Sequence, residues 1–396
     1  MVNESRNEHG VKKSCQIVLM GSLALANEGL LAKTLPASIE RNLPACVELP
    51  RMIANSDSVE SKPRANSKKH LASAKAAKRD EFYTLYKDIE RELELYYKFN
   101  ENVFRDKVVL LPCDDPRKSN FNKYFLDNFK RFGIRQLICT CYNPHGRGMV
   151  FKYEASENDK EILRFEDVQC RELNGNGDFR SDEIKQFRDQ ADVIVTNPPF
   201  SLFRQFFTWI MEARKKFLVI GNVNCISYKE VYPHIMADEV WLGHGIGRWI
   251  SGFIVPEDYE LYGTETHIDE EGNRIVSSNG CLWLTNIDHG RRHQPLQLMT
   301  EAENVLRSRH RDVRSVGYRK YDNCDAIEVP HTDAIPSDYK GLMGVPITFL
   351  DKYCPEQFEL VRFRKGDDGK DLMLEGKPPY FRILIRARDS RKGDDK

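Results

Sequence analysis

Along the chain, short unbroken apolar runs alternate with longer stretches whose apolar positions recur every three or four residues. "VVLL" (Val108 to Leu111), "QLICTC" (Gln136 to Cys141), "DVIVT" (Asp192 to Thr196) and "KFLVIGN" (Lys216 to Asn222) are of the first kind. Runs so short and so uniformly apolar predict strands covered on both faces. "DEFYTLYKDIERELELYYKF" mixes aromatic and charged residues at helical spacing, which predicts a helix through Ile89 to Phe99. Phe121, Phe125, Phe129 and Phe132 share one face of a second helix, with Ser119 or Asn120 to cap its start and Gly133 to end it. A third helix carries Leu202, Phe203, Phe206, Phe207, Ile210 and Met211. Such alternation predicts an α/β fold with a mostly parallel, doubly wound sheet. Past about residue 240 it weakens, and pieces such as "GFIVP" and "CLWLT" sit among loops and basic patches. We expect a flexible extension over 1–65, an α/β domain over 66–240 and a mixed α+β region over 241–396.

Composition narrows this little. The 60 basic and 60 acidic residues balance, so global charge neither favours nor opposes a polyanionic partner. Local charge is more telling. Ser61 to Arg79 carries seven basic and no acidic residues, and "RSRHRDVRSVGYRK" (Arg307 to Lys320) is broken only by Asp312. An isolated run of this kind is more often a solvated face, and phosphate contact is the sharper reading. The ten cysteines form no CxxC pair, so neither a zinc site nor a disulfide framework is expected. No apolar run reaches the length that spans a bilayer. Lys12 and Lys13 ahead of "IVLMGSLALA" have a leader-like order, but Gly21 and Ser22 interrupt the apolar core, and a cytoplasmic protein is expected.

The chemistry is concentrated in "ADVIVTNPPFSLF", Ala191 to Phe203. Two successive prolines stop a strand abruptly, and in open α/β sheets ligands bind just beyond the carboxyl ends of strands. An adenine amino nitrogen is a poor nucleophile because its lone pair is delocalised into the ring. Acceptance of its two protons by the side-chain amide oxygen of Asn197 and the main-chain carbonyl of Pro198 would draw it toward tetrahedral geometry. Pro198 and Pro199 would hold those acceptors in place, which is catalysis by positioning. Phe200 can stack on a base withdrawn from the duplex. No metal or nucleophilic side chain is needed.

Asn-Pro-Pro-aromatic marks the S-adenosylmethionine-dependent amino-group methyltransferases, and the sequence resembles that superfamily. It resembles the EcoRI-type adenine modification methylases more closely, through "DEFYTLY", "CDDPRKSNF", "GDFRS", "TNPPFSLFR", "IGNVN", "SGFIVPEDYELYGTE", "KYDNCDAI" and "GVPITFL". Through these blocks the resemblance extends from Asp80 to about Ile385. The resemblance implies a Rossmann-like methyltransferase fold and S-adenosylmethionine as cofactor. It also implies catalytic roles for Asn197, Pro198, Pro199 and Phe200. Phe82, Tyr83 and Thr84 stand where the family packs a motif over the donor's methionine, with Leu85 replacing the usual proline. Asp178 and Phe179 match the element that binds the donor's adenine.

Two departures remain. The glycine-rich turn after the first strand is replaced by "LLPCDDPRKSNF", where Asp114 or Asp115 would meet the donor. The acidic residue expected after the second strand is missing from "LICTCYNPHG". The motif order implies a C-terminal target-recognition region in which Arg248, Arg291, Arg292, Arg307, Arg309 and Arg311 are candidates for contacts to DNA. The partners implied are double-stranded DNA and a restriction endonuclease cutting the same site, with a monomer as the working unit and GAATTC as the site suggested. Two alternatives are an RNA adenine or protein glutamine methyltransferase, and a silent DNA-binding relative. The absent glycine-rich turn and long C-terminal region oppose the first, and the intact Asn-Pro-Pro-Phe opposes the second.

Overall fold

The computed structural model describes residues 82–388 except 158–159, 247–249, 258–265, 278–279 and 365–371. The flexible extension expected over 1–65 and Arg248 lie outside the described residues. The described chain opens with β1 (Tyr83–Thr84) and enters α1 (Tyr86–Phe99) at once, ahead of the expected start at Ile89. Ile89, Leu93 and Tyr96 recur on its buried face, and two carboxylates, Asp88 and Glu92, are buried beside them. β2 (Val108–Leu111) follows, then α2 (Asn120–Asp127) and α3 (Phe129–Phe132). The single phenylalanine helix read from the sequence is broken at Asn128, although all four rings are buried in one cluster. Ser119 caps α2, its Oγ accepting from the backbone N–H of Phe121 and Asn122. Gly133 closes α3 at φ +64°, the left-handed region that glycine adopts without strain.

β3 (Gln136–Cys141) leads to β4 (Met149–Glu154) and β5 (Gln169–Glu172), then α4 (Asp182–Gln190) and β6 (Val193–Thr196). α5 (Phe203–Glu212), β7 (Lys216–Asn222), α6 (Tyr232–Met236) and β8 (Trp241–Ile246) follow. Next come β9 (Gly252–Val255), β10 (Thr266–Ile268), β11 (Arg274–Ser277) and β12 (Cys281–Thr285). Eight of these form one sheet in the order β5-β4-β3-β2-β6-β7-β12-β8. Its centre, β3-β2-β6-β7, is parallel, whereas the two strands on each flank pair antiparallel. The sheet is therefore mixed rather than mostly parallel. β4 and β5 escaped the sequence reading because neither carries a long apolar run: β5 is exposed along its whole length, and β4 buries only Val150 and Phe151.

Alternate residues of the central strands feed two cores. Val109, Leu111, Val193 and Val195 pack with α1, α2 and α3 on one face. Val108, Leu110, Ile194, Phe217 and Val219 pack with α4, α5 and α6 on the other. Strands beyond residue 240 complete this sheet, since β12 lies between β7 and β8. A small sheet, β1-β9-β11-β10, joins the start of the described chain to this same later segment.

α7 (Glu301–Arg307) and α8 (Arg311–Val316) precede a third sheet of five strands. These are β13 (Lys320–Tyr321), β14 (Cys324–Glu328), β15 (Leu342–Pro346), β16 (Phe358–Arg364) and β17 (Arg382–Ala387). Ile327, Met343, Val345, Ile383 and Ile385 continue the core that covers α5 and α6, so this sheet packs on the helical face of the first. No described helix is long and apolar enough to cross a membrane.

Candidate active site

The carboxyl ends of β2, β3 and β6 open onto a cavity of about 400 Å³. Its wall includes Phe82, Tyr83, Asp114, Asp115, Asp178, Phe179, Asn197 and Pro199, which the sequence places in four separate motifs. It also includes Tyr142 and Arg180, which the sequence reading did not single out. Thr84, Pro198 and Phe200 are not among the residues that line it. Thr84 is buried and its carbonyl accepts from Asn120 Nδ2 at 2.8 Å. Phe200 lies in an aromatic group with Phe82 and Phe253, ring centres 6.1 and 6.0 Å away.

Asn197 follows β6 directly, and the two prolines turn the chain off the sheet there. Its Nδ2 donates to the Phe82 carbonyl at 2.8 Å, which fixes which way the amide faces. The Oδ1 atom is buried and has no hydrogen-bond partner. A buried acceptor without a donor is costly, about 1–3 kcal/mol, so such an atom marks a place where a ligand's N–H belongs.

The two aspartates of the β2–α2 connection differ. Asp114 is 5% exposed, and its oxygens accept from Ser119 Oγ and Thr196 Oγ1, each at 2.6 Å. Burial pushes its carboxyl up to about 6, against the lowering effect of the two hydroxyls. Asp115 is half-buried and accepts from the Arg117 backbone N–H at 3.1 Å. Asp178 is held by Arg180, whose guanidinium Nε and terminal nitrogen donate at 2.9 and 2.5 Å. That contact, more than any other, keeps the Asp178 carboxyl below its usual range. The Phe179 ring is buried against Phe206 and Trp209, centres 5.1 and 5.7 Å away, with one edge on the cavity. Gly177, at φ +83°, presses on the Cys141 carbonyl so closely that any Cβ would overlap it.

The fit to S-adenosylmethionine follows from these groups. The cavity offers aromatic surface at Phe82, Tyr142 and Phe179 and carboxylates at Asp115 and Asp178, and Asn197, whose Oδ1 is unpartnered, is part of its wall. No carboxylate from the β3 end lines it; Tyr142 and Pro144 stand there.

The candidate DNA-contacting arginines divide. Arg292 is 8% exposed, stacks 3.7 Å from the Trp241 ring centre and pairs with Asp238 at 2.5 Å. Arg291 pairs with Asp351 at 3.1 Å and is half-buried. Both are turned into the fold, and burial denies Arg292 the reach to a phosphate. Arg309 is exposed and pairs with Asp333 at 2.8 Å. Arg307 and Arg311 are exposed and have no hydrogen bond or ion pair with other described residues. Beside them His310, Asp312 and His331 bring ligand atoms within 4.8 Å of one another. The two imidazoles stack in parallel, 3.6 Å apart, and each ring nitrogen meets its own carboxylate, Asp333 or Asp312. Lone pairs in parallel ring planes do not converge on a point, so this cluster is a brace between α8 and the 331–334 turn.

A model of the family described as "Adenine-specific methyltransferase EcoRI" matches residues 70–388. The chain is 50% identical over 337 residues to the type II methyltransferase M.EcoRI of Escherichia coli, covering 83% of this chain and 99% of that protein. It is 33% identical to M.MgeORF184P of Mycoplasma genitalium, over 81% of this chain and 99% of that one. It is 32% identical to M.MpnI of Mycoplasma pneumoniae, over 80% and 98%. No solved structure matches the chain. With a family match across most of its length and half its residues shared with one such enzyme, the chain belongs to the EcoRI family of adenine-specific methyltransferases.

Proposed function

We propose that this adenine-specific DNA methyltransferase transfers the methyl group of S-adenosylmethionine to the amino nitrogen of an adenine turned out of duplex DNA. The observation that carries the reading is the buried, unpartnered Oδ1 of Asn197, a residue that lines the cavity and whose Nδ2 is held by the Phe82 carbonyl. An amino group entering there donates one proton to Oδ1 and the other to the Pro198 carbonyl. Both acceptors favour a nitrogen whose lone pair stands free of the ring, so the positive charge that develops on it is stabilised where it forms, and one of its two protons is then released to solvent to leave a neutral methylamino group. The donor supplies an electrophilic methyl on a sulfonium, which carries its own leaving group. Phe82, Tyr83, Asp115, Asp178 and Phe179 would hold it, the Asp178 carboxylate accepting from its adenine amino group. Phe200 would stack on the target base. The energy of unstacking that base is repaid by this contact and the Asn197 hydrogen bond.

The region from 241 onward reads the site in this proposal, with Arg307, Arg309 and Arg311 contacting phosphates. GAATTC is the target suggested by the family resemblance. The enzyme would work in the cytoplasm as a monomer, protecting sites from a partner endonuclease.

The test uses tritiated S-adenosylmethionine, duplexes with and without GAATTC, and the chain beside Asn197→Ala. Label in N6-methyladenine that is confined to the GAATTC duplex and lost in the variant is the expected result. Label at other sequences would discard the target and keep the chemistry. Label absent from DNA while donor binding persists would overturn the reading.

A further inference from the structure

β2 and β6 are neighbours at the centre of the sheet, and their paired residues end at Leu110 and Ile194. β6 continues beside β7 as far as Thr196, so at this point β2 diverges and the cavity opens between the strands. Two side chains bridge the gap. Thr196 Oγ1 donates to Asp114 Oδ2, and Ser119 Oγ donates to Asp114 Oδ1, both at 2.6 Å. Ser119 is the cap of α2, and the Asp114 backbone is itself fastened to β3, its carbonyl accepting from Cys139 Sγ at 3.1 Å. One buried carboxylate thus ties β6 to a helix start at the residue immediately before Asn197. Asp115, next in sequence, uses only one oxygen, and its Oδ2 meets no other described group.

We propose that Asp114 is a positioning residue for the catalytic turn: through Thr196 it sets the direction in which Asn197 presents its amide oxygen, leaving Asp115 as the carboxylate offered to the methyl donor. The inference rests on the reading of Asn197 as the amino-group acceptor. Thr196 Oγ1 is the lever. The peptide joining Thr196 to Asn197 is planar, so holding the first residue from its side chain restricts where the second can point. Transfer chemistry is sensitive to sub-ångström placement, and displacement of about 1 Å costs on the order of a hundredfold in rate. Burial keeps water from competing for the two hydroxyl contacts.

The experiment compares Thr196→Val, Thr196→Ser, Asp114→Asn and Asp115→Asn in the full chain, with Asn197→Ala as reference. It measures donor dissociation constants and single-turnover methyl transfer to a duplex, with melting temperatures to establish folding. Valine has threonine's shape without the hydroxyl, so Thr196→Val removes the tie alone. We expect Thr196→Val and Asp114→Asn to slow transfer by about tenfold to a hundredfold, with donor affinity within about twofold of the parent chain. Their effects should not add in the double variant. Thr196→Ser should restore most of the rate, and Asp115→Asn should weaken donor binding. If Asp114→Asn instead weakens donor binding while Thr196→Val transfers at the parent rate, Asp114 is a donor ligand and the proposal falls. It falls equally if both variants transfer normally. If Asn197→Ala transfers at the parent rate, it is the reading of the catalytic turn that has failed, whatever the Thr196 variants do.

Discussion

Glu92 leaves α1 to receive the backbone N–H of His244 with both oxygens, at 3.0 and 3.2 Å, and also accepts from the Tyr96 hydroxyl at 3.0 Å. Gly243 makes the approach possible, because a Cβ there would overlap the carboxylate. The helix is thereby fastened to β8 by a carboxyl that water does not reach.

Burial pushes this carboxyl up to about 7 from an ordinary 4.5, against the lowering effect of its hydrogen bonds. A raised folded value means that the folded chain keeps a proton the unfolded chain has released. The stability this group contributes is therefore complete below about 4.5 and is lost as pH rises through about 7. Asp88 and Asp114 are shifted in the same direction. Glu92→Gln retains an acceptor and cannot titrate. We expect it to flatten the fall in melting temperature between pH 5 and 8, read by calorimetry; a slope unchanged by the substitution would contradict the account.

Arg180 grips Asp178 and also donates to Gln205 Oε1 at 3.2 Å. It keeps the carboxylate ionised and leaves it a lone pair for the donor's adenine, which we propose it binds. Arg180→Ala should raise the KM for S-adenosylmethionine about fivefold to twentyfold and leave kcat within about twofold. Steady-state kinetics at saturating DNA would show this, and a fall in kcat alone would place Arg180 elsewhere in the reaction.

The arginines of the C-terminal region should separate by experiment. Arg292→Ala removes a cation stacked on Trp241 and leaves Asp238 without its partner, which should cost about 2 kcal/mol of stability in urea titrations. Arg307→Ala and Arg311→Ala should leave stability unchanged. Each should weaken binding to all duplexes alike and lower the salt dependence of log Kd by about one ion. An unchanged salt slope in both would remove α7 and α8 from the interface.

Gly177 cannot accept a side chain without strain. Gly177→Ala combines a left-handed backbone with a collision against the Cys141 carbonyl, for roughly 2 kcal/mol or more of strain. Because the displaced loop carries Asp178, the donor dissociation constant should rise with little change in duplex binding. Calorimetric titration with donor and with DNA measures the two separately.

The four central strands were readable because strands covered on both faces are apolar at every position, a signal that needs no partner to interpret. Asn197 and its prolines were readable because few turns use those residues. Arg180 and Tyr142 were not, since nothing in local spacing distinguishes a cavity wall from a loop. Arg291 and Arg292 looked like surface charge because their carboxylates, Asp351 and Asp238, stand 60 and 54 residues away. The choice between Asp114 and Asp115 likewise depended on Thr196, 82 residues on.

The place of β12 has a bearing on how the protein is made. Its residues 281–285 fill the slot between β7 and β8, and β9, three strands earlier in the chain, pairs β1 beside Phe82. A nascent chain whose synthesis has reached only Asn197 or even β8 has the catalytic turn but neither the pairing strand behind Phe82 nor cover for the edge of β7. Such long-range pairings form late. The sheets around Phe82 and Asn197 are thus complete only once residues 252–285, well beyond the Asn-Pro-Pro-Phe turn, have joined them.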